Sequence, residues 1–161
     1  MSRRNYLAVA VALVLATFSI RSVFGQPTND LRGVWKLVSI TQEGKDVPTN
    51  GWMVITREHY IRVATEKGRP LLEGIPFRTP EKLTPEQQRL VAMTLPRSNS
   101  NAGTYHIDGN TFSFTSVAHS NPDAEGHDFH RKIELNGTHL RLIQETGTKA
   151  DERWERVEEI R

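Results

Sequence analysis

The chain has 161 residues, a quarter of them charged and none of them cysteine. That length suits one domain, and the missing thiols exclude disulfides, thiolate metal centres, Cys-x-x-Cys redox chemistry and a cysteine nucleophile. The net charge of +2 comes from the leading segment: Arg3, Arg4 and Arg21 are three of the 21 basic residues, which leaves 18 against 19 acidic ones, a net −1 for the rest. With no basic run interleaved with aromatics, nucleic-acid binding is not expected.

Residues 1–25 read as a signal peptide. Arg3 and Arg4 form a positive start, residues 7–20 are mostly apolar but short for a membrane span, and Val23-Phe24-Gly25 suits a cleavage site. Ser2-Arg3-Arg4-Asn5-Tyr6-Leu7 also resembles a twin-arginine signal, and an ordinary secretory signal fits equally. Either route implies an exported, periplasmic or secreted bacterial protein with no stable membrane insertion after cleavage. The mature domain then spans 26–161.

Residues 31–40 (LRGVWKLVSI) predict the first strand, with Trp35, Leu37 and Ser39 on one face. A polar loop with Gly44 and Pro48 follows. Residues 51–56 and 60–65 predict strands two and three. Residues 66–101 form a long insertion, with a helix predicted from Pro85 to about Thr94: Thr84 is the N-cap, Gln87 closes a capping box, and Pro96 stops the helix. Four strands follow between Gly103 and Glu145, separated by tight turns at Asp108-Gly109-Asn110 and Asn136-Gly137 and by a longer loop at 121–126. Residues 149–160 close the chain. Eight antiparallel strands in hairpin order predict an all-β up-and-down barrel, with one helical lid insertion between the third and fourth.

Gly33-Val34-Trp35 resembles the Gly-x-Trp signature of lipocalins, in which the Trp plugs the closed end of the barrel under an Arg from the last strand. Arg156 stands where that Arg would be. The ordered set Gly33-Val34-Trp35-Lys36-Leu37-Val38-Ser39, Ala102-Gly103-Thr104-Tyr105, Asn121-Pro122, Gly126, Arg131 and Trp154-Glu155-Arg156-Val157 is similar to the bacterial and fungal lipocalin-like domain family, a calycin-type barrel. That resemblance implies Gly33, Trp35 and Arg156 as structural closure of the barrel. It supports fold more than function. Many members carry a His pair in the fifth strand, where this chain has Phe112-Ser113-Phe114, so no role for those histidines carries over.

Strand parity sorts the candidate ligand-binding residues. Phe112, Phe114 and Ser116 share a face; so do His127, Phe129 and Arg131; Leu142 points with Gln144; Tyr105 and Trp52 complete an expected aromatic cavity with a few polar groups. Arg131 is the most informative, because a guanidinium inside a barrel requires a carboxylate, several carbonyls or an anionic ligand. No nucleophile elbow, P-loop, dinucleotide fingerprint or zinc-protease motif occurs, so no catalytic residue, metal or cofactor is assigned. The expected function is binding of a small apolar or amphipathic molecule. A small-molecule enzyme and a filled barrel that binds a protein partner stay open.

Overall fold

A computed structural model describes residues 30–160, and the segment read as a signal peptide lies outside them. Nine strands run in chain order: β1 (Gly33–Gln42), β2 (Lys45–Asp46), β3 (Thr49–Ile55), β4 (His59–Glu66), β5 (Ser98–Asp108), β6 (Thr111–His119), β7 (Asp128–Asn136), β8 (His139–Gln144) and β9 (Ala150–Glu158). All pairings are antiparallel between neighbours, and β1 pairs with β9 as well as with β2 and β3, so the sheet closes on itself. β2 and β3 are two pieces of one stave. The Val47 N–H donates to Ile40 O at 3.0 Å and continues the ladder, and Pro48, with no N–H to give, interrupts it. The barrel therefore has eight staves.

Where the sequence suggested a polar loop after β1, there is a two-residue turn. Glu43 and Gly44 both adopt positive φ (48° and 76°), the backbone of a primed hairpin turn. The turns at 109–110 and 137–138 are equally short. Gly109 and Gly137 take the positive φ that lets Asp108 pair with Thr111 and Asn136 with His139.

Three bulges break the simple alternation. Val38 is the extra residue between the pairs Leu37–Trp154 and Ser39–Arg153, Val157 between Trp35–Arg156 and Val34–Glu158, and Val117 between Gly103–Ser116 and Ala102–Ala118. All three valines are left exposed. Past each of the Val38 and Val117 bulges the inward parity switches, so Ile40 faces in although Ser39 shares the parity of Trp35, and His119 faces in although Ala118 shares that of Phe114. At the last of the three bulges Gly103 approaches β6 so closely that a Cβ there would lie 1.8 Å from Thr115 O.

One end of the barrel is packed shut. Trp35 is fully buried, and its Nε1–H donates to Leu31 O at 2.8 Å. The Arg156 guanidinium lies over the Trp35 ring, 4.5 Å from its centre. Gly33 permits this closure: its φ is 149°, and a Cβ would meet Glu158 O at 2.6 Å and the Arg156 stem at 3.3 Å. Ile55, Tyr60, Phe112, Ile133, Leu140 and Trp154 extend the core above the plug. The result is a closed, all-β, eight-stave antiparallel barrel with a Trp–Arg floor, the architecture that the sequence resemblance implies.

The insertion lies between β4 and β5, as expected. Helix α1 (Pro85–Thr94) begins with the predicted capping box: the Gln87 N–H donates to Thr84 Oγ1 (3.3 Å) and the Thr84 N–H to Gln87 Oε1 (3.0 Å). Leu90 and Val91 are half-buried, whereas Met93 and Leu95 are exposed. No α1 side chain lines the barrel cavity; Pro96 and Arg97, just beyond it, do.

Candidate functional site

The closed end has only short turns. The other end carries the β2–β3 break, the insertion, the β6–β7 loop and the β8–β9 loop. Between them opens a cavity of about 490 Å³, within the range of small-molecule sites. Its floor is Met53, Tyr60, Phe112, Phe114, Phe129 and Leu142. The aromatic rings form one cluster: Tyr60 meets Phe114 edge-on at 5.0 Å, and Phe114 stacks on Phe129 at 5.2 Å.

The walls are more polar than the sequence suggested. Arg62 and Glu152, from β4 and β9, form a two-pronged ion pair across the interior: Arg62 Nη2–H donates to Glu152 Oε1 (2.7 Å) and Nε–H to Oε2 (3.3 Å). Their side chains are 12% and 5% exposed, so this pair is shielded from solvent. Trp154 Nε1–H also donates to Glu152 Oε2 at 3.1 Å. Arg62 Nη1–H donates to Asn99 Oδ1 at 2.8 Å, and Asn101 Nδ2–H shares that acceptor at 3.0 Å. Asn99, Asn101 and both members of the ion pair line the cavity.

Arg131 faces the same space. Its partner across the ladder is Phe112, which places it at the depth of the aromatic floor. Its Nη1 is buried with no hydrogen-bond partner, and its side chain forms no ion pair among the described residues. Burial pulls its pKa down, and the Glu152 carboxylate only partly offsets this while Arg62 adds to it. Two guanidinium groups thus face one carboxylate in the interior, an excess of one positive charge. Tyr60 and Asn101 add further unmatched groups, because Tyr60 Oη and Asn101 Oδ1 are buried with no hydrogen-bond partner among the described residues. Burial pushes the Tyr60 hydroxyl up to about 12; the Ser116 hydroxyl beside it offsets this in part but donates to Ala118 O at 3.1 Å. His119, turned inward by the β6 bulge, is held below the usual histidine range, first by burial and then by Arg62. Its Nδ1 accepts the Asn121 N–H at 2.8 Å, so the neutral ring carries its proton on Nε2.

Of the ten residues expected to bind ligand, six line the cavity: Phe112, Phe114, Phe129, Arg131, Leu142 and Gln144. Four do not. Trp52 lies on the outer face, half exposed, because inward positions in β3 fall to Gly51, Met53 and Ile55. Tyr105 packs beside Phe112 at the closed end, and its hydroxyl donates to Thr56 O at 2.7 Å. Ser116 is fully buried under the β6 bulge. His127 is exposed in the loop before β7, where the inward parity of that strand has not begun.

Sequence reasoning missed Arg62, Glu152, Asn101 and Tyr60. The usable signal was parity, since Glu152 alternates with Trp154 and Arg62 with Tyr60 and Ala64. Among the described residues, the side-chain contact between a Ser and a His is Ser113 Oγ to His130 Nδ1 at 2.9 Å; it lies on the outer face, where Asp128 is engaged by Thr115 instead. Among the described residues no three His, Asp or Glu side chains are grouped to hold a metal ion.

No family model matches the chain, and no curated protein does. Two crystal structures are similar. One is an uncharacterized protein from Bacteroides eggerthii (11% identity, TM-score 0.48, covering 79% of this chain and 99% of that one). The other is a lipocalin-like protein from Bacteroides uniformis (17% identity, TM-score 0.44, covering 80% and 99%).

Proposed function

We propose that this barrel binds a small amphipathic molecule with an anionic group, its apolar part on Phe112, Phe114, Phe129 and Leu142 and its anion on Arg131. The observation that carries this reading is the Arg131 guanidinium, deep in the cavity without a carboxylate of its own. A buried cation is unfavourable unless paired, and an incoming carboxylate supplies the missing charge and a two-oxygen acceptor. The cavity volume supports an open binding site over a barrel filled by its own side chains. The reading includes export, which rests on the composition of residues 1–25 alone.

Melting the protein with phenylpropionate or with phenylpropanol tests it, because the two differ in the acid group. Phenylpropionate raises Tm in the wild type and loses that effect in Arg131→Met. Equal shifts from the acid and the alcohol, or a shift from the acid that survives Arg131→Met, would overturn the reading.

A further inference from the structure

The anion-binding reading explains one unmatched atom in the cavity, and two more remain. Tyr60 Oη and Asn101 Oδ1 are buried with no hydrogen-bond partner among the described residues, and both residues line the same space as Arg131. Buried polar atoms of folded proteins are nearly always paired, so three such atoms around one cavity mark a recognition surface. Their chemistry differs. Arg131 Nη1 is a donor. Tyr60, held protonated by its burial, is a second donor lining the same cavity, with the Ser116 hydroxyl beside it already committed to Ala118 O. Asn101 Oδ1 is an acceptor: its amide nitrogen is spent on Asn99 Oδ1, and Asn99 Oδ1 in turn accepts from Arg62, which fixes which end of the Asn101 amide is oxygen.

A plain carboxylate satisfies the two donors and leaves Asn101 Oδ1 facing the ligand with nothing to accept. We infer that the cavity selects a carboxylic acid bearing a hydroxyl or N–H group near its carboxylate: the acid lies against Arg131 and Tyr60, and the ligand's donor points at Asn101. This rests on the anion-binding reading and narrows it to hydroxy acids and their amino or amido counterparts. A ligand that buries Asn101 Oδ1 without supplying a donor pays the desolvation of that carbonyl, so the penalty falls on the unsubstituted acid.

Calorimetric titration with matched pairs tests the inference. Phenyllactate and phenylpropionate differ by one hydroxyl, as do mandelate and phenylacetate. The wild type binds at least one hydroxy acid about ten-fold or more tightly than its plain partner. Asn101→Leu removes that preference by strengthening the plain acid, whose penalty is gone, whereas Tyr60→Phe weakens both members of a pair. Equal affinities within both pairs for the wild type would overturn the inference while leaving the anion reading standing, and this measurement depends on no variant. A preference that persists in a folded Asn101→Leu protein would also overturn it. If none of the four acids binds, the anion reading falls and this inference falls with it.

Discussion

Two of the arginines that reach the barrel interior, Arg156 at the closed end and Arg131 in the cavity, have different surroundings. At the closed end Arg156 lies over the Trp35 ring, 4.5 Å from its centre, with Glu159 3.7 Å from Nη1. Its stem is packed against Gly33, and the turns around it are two or three residues long. At the open end Arg131 projects into a cavity of about 490 Å³ with neither an aromatic face nor a carboxylate of its own, beside an Arg62–Glu152 pair that is already complete. The first arginine is a building component: its Nε is buried without a hydrogen-bond partner, but its guanidinium has an aromatic face and a carboxylate beside it. The second is matched only in part, and the unmatched part faces a space reached from outside. The same residue type on the same scaffold is thus structural or functional according to whether its neighbours complete it.

This contrast predicts that stability and binding separate along the barrel axis. The largest effect is expected at the closed end: Trp35→Ala should cost about 4 kcal/mol in urea unfolding, because a fully buried indole and its hydrogen bond to Leu31 are lost together. Glu152→Ala should cost about 3 kcal/mol, because it leaves Arg62 and the Trp154 indole N–H buried without their shared acceptor. Unchanged stability in Glu152→Ala would mean that water reaches Arg62 and that the excess positive charge is not shielded. Arg156→Met should cost about 1 kcal/mol, the scale of a cation–π contact.

The smallest effect belongs to the outer wall. Arg141 donates to Asp151 (2.9 and 2.8 Å) and to Glu134 (2.8 Å), and these bonds hold both carboxyls below their usual 3.8 and 4.5. Groups whose folded pKa is depressed stabilise the fold above their unfolded pKa, and that stability is lost as pH falls through the lower folded values. The urea midpoint should therefore drop modestly below about pH 4.5 and drop less in Arg141→Leu; an identical pH profile for both proteins would remove this contribution.

Most of the closed end was legible in the sequence. The resemblance to the lipocalin signature implied Trp35 as the plug, Arg156 as its cover and Gly33 beside them, and Gly109 and Gly137 announce turns whose geometry only glycine adopts cheaply. The helix cap was equally plain, because Thr84, Pro85 and Gln87 satisfy local rules that need no tertiary information. The open end was legible only in part. Phe112, Phe114, Phe129 and Arg131 follow from alternation within one strand. His119 does not, because a bulge at Val117 resets the alternation, and nothing in a valine between a serine and an alanine announces a bulge. Trp52 illustrates the reverse error: a strand apolar on both faces gives no parity to read, and its bulkiest residue lies outside. Arg62 and Glu152 went unnoticed because lone charges in strands read as solvent-facing, and only their pairing across the barrel makes them interior residues.

The most direct measurement sets the two arginines against each other: calorimetric titration of phenylpropionate into the wild type, Arg131→Met and Arg156→Met, with urea unfolding of each. The account predicts a double dissociation. Arg131→Met loses at least ten-fold in affinity for the acid and keeps or gains stability, because an incompletely paired buried charge has been removed. Arg156→Met loses stability and keeps its affinity. Undiminished binding by Arg131→Met, or an equal loss of binding in both variants, would contradict the assignment of the open end as an anion site.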